Sequence, residues 1–157
     1  MFMVVLGVIM KMWVSLLFLL LITSPACFAE QKSIIGRGTQ GLSVIPVTLT
    51  NNGNNPLTCS VSTAHWYSIS LGDIQSGKTR HITLWKNIAS GEIYLLNIHQ
   101  DQMPVQSLWC GESSNAYNTR QQLTLPDHRG VAPGPISLLC HAREDRVRCQ
   151  NAVTPAR

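Results

Sequence analysis

Charge is scarce in this 157-residue chain. Asp, Glu, Lys and Arg together make up 13% of it, and the formal net charge is only +4. The basic residues are scattered (Lys32, Arg37, Lys78, Arg80, Lys86, Arg120, Arg129), apart from Arg143, Arg146 and Arg148, and Glu144 and Asp145 sit inside that group. A nucleic-acid binder needs a denser basic field, so that class is set aside. Recognised catalytic spacings are also missing. There is no Gly-x-Ser-x-Gly elbow, phosphate-binding loop, Cys-x-x-Cys or His-Glu-x-x-His. The acids Asp73, Glu92, Asp101, Glu112, Asp127, Glu144 and Asp145 fall mostly in turn-rich stretches. No facing carboxylate pair of the kind a glycosidase needs stands out. The sequence therefore predicts a protein that is not an enzyme and carries no cofactor.

Helical periodicity and N-glycosylation sequons are lacking too. Beyond residue 29 no window repeats its apolar residues at 3–4 spacing, and no Asn-x-Ser/Thr occurs.

One long apolar run is present, at the N-terminus. Met10-Lys11-Met12 leads into an apolar stretch over 13–22, broken only by Ser15, and then into Thr23-Ser24-Pro25 and Ala26-Cys27-Phe28-Ala29. A basic start, an apolar middle and small residues at −3 and −1 spell a secretory signal peptide over residues 1–29, cleaved before Glu30. The run is shorter than the roughly 20 residues that span a bilayer. Reading 1–22 as an uncleaved anchor would put Lys11 in the apolar core, at about 2.5–3.5 kcal/mol on insertion scales. Met10 is the expected true start. The location implied is periplasmic or secreted, of bacterial type, with no stable membrane span after cleavage.

After cleavage four cysteines remain: Cys59, Cys110, Cys140 and Cys149. An even count in an exported chain predicts two disulfides. Cys140 and Cys149 flank Glu144-Asp145 symmetrically. A hairpin turning there opposes the two cysteines and puts Ile136, Leu138, Ala142 and Val147 on their face, with His141, Arg143, Arg146 and Arg148 on the other. Directly opposed Cβ atoms lie about 4.5–5.5 Å apart, close to bonding range. That leaves Cys59 with Cys110, each in phase with the apolar residues of its own strand and expected to bridge two sheets.

Residues 30–41 read as a flexible leader and 42–157 as one domain. Runs with period-2 alternation follow one another between turn signals: 42–50 with Pro46 marking an edge or bulge, 57–61, 67–71, 82–84, 93–98 as a buried strand, 105–110, 121–125, 136–142 and 146–150. This pattern predicts an all-β fold, an immunoglobulin-like antiparallel β-sandwich, with a small closed β-barrel as the alternative.

The functional clue is aromatic. Trp66 sits at a strand entry, and Trp85 and Trp109 are out of phase with the apolar residues beside them, so both are expected to face outward. Trp109 opens a polar stretch running to Arg120 and containing Tyr117, read as a loop anchored by a disulfide and as the first choice for a binding surface. The expected role is an envelope module that binds a protein partner in assembly, inhibition or accessory work. A second reading is carbohydrate or peptidoglycan binding through Trp85, Trp109 and Tyr117. A weaker third is copper binding by His99 and Met103, although Met103 is the sole methionine beyond residue 12.

Overall fold

A computed structural model describes residues 35–64, 67–143 and 145–152. The expected signal peptide and its cleavage point, residues 30–34 of the expected leader, Trp66 and Glu144 lie outside these residues. The described chain is mostly β. Its strands are β1 (Ser43–Asn51), β2 (Leu57–Thr63), β3 (Ser68–Ile74), β4 (Thr79–Lys86), β5 (Ile93–Leu96), β6 (Gln102–Glu112), β7 (Gln121–Leu123), β8 (Ile136–Arg143) and β9 (Arg146–Asn151). A 3-10 turn (Ser113–Asn115) and one helical turn, α1 (Ala116–Thr119), separate β6 from β7. Among the described residues no helix is long and apolar enough to cross a membrane.

Hydrogen bonding runs in the order β3-β2-β6-β5-β4-β1-β8-β9, with β7 also on β6. The long strand β6 joins two groups. Its first residues pair with β5, and from Val105 onward it pairs with β2 and then also with β7. Alternation explains the burial. Ile45, Val47 and Leu49 of β1 and Leu57, Cys59 and Val61 of β2 are all at most 1% exposed, while Val44 and Pro46, one residue out of phase, are exposed. Buried residues from both groups form one cluster.

Three expectations change. First, the pairing is not purely antiparallel: β1 runs parallel to β8, from Val47 opposite Ile136 to Asn51 opposite Cys140. Strand β1 is therefore central. Pro46 is tolerated there because pairing with β8 begins only at Val47, so at Pro46 the strand still has a free side. Second, the 93–98 run does not form a wholly buried strand. Ile93 is buried, but β5 ends at Leu96 and Ile98 is 91% exposed. The chain turns over 97–101, where the Asn97 side-chain oxygen accepts from the N–H groups of His99 and Asp101, and Gln100 takes positive φ. Third, β3 begins after Tyr67, which is exposed, and a bulge at Cys59/Ser60 resets its phase.

Both disulfides form in the expected pairs, Cys59–Cys110 and Cys140–Cys149. The hairpin register also holds: Cys140 faces Cys149, Ala142 faces Val147 and His141 faces Arg148. Cys59–Cys110, however, joins directly opposed residues of the neighbouring strands β2 and β6, and does not bridge two separate sheets.

Two buried polar side chains hold the connections. Asn51 donates to the carbonyls of Asn55 and Ile74, at 2.9 Å each, and accepts from the Gly53 N–H, which fastens the 51–56 turn to the end of β3. Lys86 is fully buried. It follows Ile82 and Leu84 in phase, so its stem enters the core, and its ammonium donates to the carbonyls of His128 and Val131 at 2.9 Å each. That pins the long β7–β8 connection against β4.

Candidate functional site

Among the described residues, β3, β7 and β9 each leave one whole side unpaired. Two of them, β7 and β9, border the same groove of about 670 Å³. Its walls include Gln121–Leu123 on one side and Cys149–Asn151 on the other, and its floor is apolar, from Leu123, Leu125, Ile136 and Leu138. These four are inward-facing residues of β7, its continuation and β8, reached through the gap between the two strand edges. Among the described residues no Asp, Glu, Lys or Arg lines it; the polar lining is mostly amide, from Gln121, Gln122, Gln150 and Asn151.

One hydrogen bond shows what this gap asks for. The backbone N–H of Cys149 faces away from β8 and donates to the side-chain Oε1 of Gln121 at 2.8 Å. A side-chain amide thus does the work of a neighbouring strand's carbonyl at one end of the groove. Beyond it, the groove continues along Thr124 and Leu125, where the chain has left its pairing with β6. A second hollow, of about 690 Å³, lies where β6 passes from β5 to β7, lined by Glu92, Val105, Gln106 and Leu125 among others.

A different feature lies across the first strand group. Val44 opposes Trp85, Trp85 opposes Tyr94 and Tyr94 opposes Pro104. Directly opposed residues share a face, so these four form one row on the outer side, across β1, β4, β5 and β6. Val44 is exposed, and Trp85 and Tyr94 are half-buried. The Tyr94 hydroxyl donates to Glu92, 2.8 Å away, and Ser90 donates to the same carboxylate. Burial, reinforced by the Glu92 hydrogen bond and charge, pushes the Tyr94 phenol from 10.0 up to about 12.

The residues singled out in the sequence do not converge. Trp85 faces outward as expected. Trp109 is not in a loop: it lies inside β6, opposite Ser60 and Gln122, and is half-buried. The strand runs on to Glu112 because β2 pairs with it that far. The remaining stretch is partly helical. Thr119 clasps it, accepting from the Glu112 N–H and donating to the Asn115 carbonyl, and Gly111 leaves room for the Ala116 backbone, which any Cβ there would strike. Tyr117, 70% exposed, and Arg120 do meet, with the guanidinium carbon 3.7 Å from the ring centroid. His99 lies in the exposed 97–101 turn, and Met103 opposes Leu95 at the start of β6. Asp101 of that turn is engaged otherwise: Arg37 donates to it at 2.7 Å and Asn97 at 3.0 Å, and these bonds hold its carboxyl below the usual range.

Among the described residues, the His, Cys and acidic ligand atoms close enough to share a metal ion are the sulfurs of Cys110, Cys140 and Cys149, which lie within 4.8 Å of one another. All three are oxidised in disulfides and offer no thiolate.

The β7/β9 groove left no signal in the sequence, because strand edges depend on which distant strands pair. Nor did Tyr94, whose neighbour Trp85 is set by pairing. Lys86 was named only as one of the scattered bases, although its place in the 82–84 alternation was a signal for burial. Set against known families, curated proteins and solved structures, the chain matches none.

Proposed function

We propose that this is an exported, non-enzymatic β module, periplasmic or secreted, that binds a protein partner by accepting an extended segment of it in the groove that β7 and β9 border. The observation that carries the reading is the Gln121–Cys149 hydrogen bond at the mouth of a groove with two strand edges and an apolar floor. Unpaired strand edges invite another chain, and backbone pairing with pockets for alternate side chains is an established route to peptide recognition. The partner segment is extended, apolar at alternate positions and free of proline where it pairs. The two strand groups are read as facing layers of an immunoglobulin-like sandwich, on the support of their single shared core. The two disulfides are compatible with an exported protein.

The test uses a photocrosslinking residue at Thr124 or Gln150 in the groove, with the same residue at Thr83 on the outer side as comparison. Proteins of the envelope should be captured from the groove positions and not from Thr83, through an extended segment identified by mass spectrometry. Capture from Thr83 alone would overturn the assignment.

The row Val44–Trp85–Tyr94–Pro104 supports a second reading, in which a glycan stacks on Trp85 and Tyr94. Quenching of tryptophan fluorescence by soluble peptidoglycan fragments, lost in Tyr94→Ala, supports it; unchanged fluorescence removes it.

A further inference from the structure

The two disulfides do not stand apart. Cys140 and Cys149 are opposed across β8 and β9, Cys59 and Cys110 across β2 and β6, and the Cys110 sulfur lies within 4.8 Å of those of both Cys140 and Cys149. The four cysteines differ in access. Cys59, Cys110 and Cys140 are at most 1% exposed, whereas Cys149 is half-buried at the β9 edge, its N–H turned to the groove. Cys149 is thus the member of the two bridges nearest solvent, and its bonded partner, Cys140, lies next to the other bridge.

We propose that the two bridges form an internal thiol–disulfide exchange relay, entered at Cys149 and delivering the free thiol to Cys59. In the first step a thiolate of a dithiol reductant attacks the Cys149 sulfur. The Cys140–Cys149 bond breaks, a mixed disulfide forms on Cys149, and Cys140 leaves as the thiolate. The second thiol of the reductant then closes onto its own sulfur and frees Cys149. Two electrons have passed from the dithiol, which becomes a disulfide. In the second step the Cys140 thiolate attacks the Cys110 sulfur. A Cys110–Cys140 bond forms, the Cys59–Cys110 bond breaks, and Cys59 leaves as a thiolate that takes up a proton. No electrons are gained or lost in this step.

The product holds one disulfide, between β6 and β8, and two thiols, Cys59 and Cys149. The original bridge closes over a sequence separation of 51. Because closure entropy varies only with the logarithm of loop length, moving the bridge to Cys110–Cys140 changes the chain constraint little. The consequence is structural: the covalent tie moves from within the β2–β6 pair to between β6 and the β8–β9 hairpin that walls the groove.

Limited reduction of the wild-type protein with dithiothreitol, acid quenching, alkylation and peptide mapping tests this. The expected two-thiol species carries its alkyl groups on Cys59 and Cys149 and yields a linked Cys110–Cys140 peptide pair. A two-thiol species alkylated only on Cys140 and Cys149, with Cys59–Cys110 intact, would overturn the relay. Cys149→Ser gives an independent test without reductant. The variant should contain Cys110–Cys140 molecules with Cys59 open to alkylation. Finding Cys140 as the only alkylated cysteine contradicts the second step. If that variant does not fold, the wild-type experiment decides alone.

Discussion

Lys86 is the residue most at odds with ordinary preference. A lysine is almost never fully buried without a partner, and here the partners are two backbone carbonyls, of His128 and Val131. Hydrogen bonds from charged donors are worth about 1.5–3 kcal/mol each, and the stem also fills core volume. Lys86→Met keeps the stem and removes the donors. We expect a stability loss of about 1–3 kcal/mol by denaturant unfolding, since the freed carbonyls belong to exposed residues that water can reach. Amide exchange at Gly130, whose N–H donates to Ile88, should rise selectively. A variant with unchanged exchange there would show that the loop is held by other contacts.

Tyr94 offers a second residue-scale check. Its folded pKa, about 12, lies above the unfolded value of 10.0. The neutral phenol is thus favoured by folding, so its contribution to stability is full below pH 10 and is lost as pH rises through about 12. In a spectrophotometric titration of the folded protein one tyrosine should stay neutral past pH 11, within that window. Glu92→Gln should bring it down in part. Asp101 runs the other way. Its carboxyl is held low by the Arg37 and Asn97 hydrogen bonds, so the tie between the 97–101 turn and Arg37 persists through mild acid and fails only as pH falls below the ordinary carboxylate range.

At the scale of strands, alternation carried much of the fold. The inward residues of β1, β2 and β4 and the full register of the β8–β9 hairpin follow from period two and a central turn. Pairing between distant strands did not follow, because alternation states which face a side chain takes and is silent on the neighbour. That is why Pro46 marked an edge yet lies in a central strand, and why Cys59–Cys110 joins adjacent strands. Trp109 shows the same limit. Its outward phase was legible, but its shelter beside Ser60 and Gln122 depends on β2 and β7. For a half-buried tryptophan, Trp109→Ala should cost about 1–3 kcal/mol, between the near-neutral surface value and the 3–5 kcal/mol of a core truncation. A loss within 0.5 kcal/mol by the same surface standard would return Trp109 to the candidate binding residues.

At the scale of the whole molecule, a β core closed by two disulfides is left with an open seam at β7 and β9. In the chain-entropy model the loops with sequence separations of 51 and 9 correspond to about 4 and about 3 kcal/mol. The seam is where the fold leaves backbone groups without a strand: β7 offers three residues and a continuation, β9 ends at Asn151, and Gln121 fills one position between them. Among the described residues, none of the aromatic positions marked in the sequence lines it. The candidate site was illegible for that reason, since its chemistry is backbone and its residues are ordinary Gln, Leu and Asn.

The most direct measurement is crosslinking from Thr124 and Gln150 with Thr83 as comparison, repeated in Thr124→Pro, which removes an N–H along the groove without touching the outer face. Capture of a protein is expected from the two groove positions through an extended, alternately apolar segment, with loss of capture at Gln150 in the proline variant. Capture from Thr83 alone, or capture at Gln150 undiminished by the proline, would contradict binding in the groove.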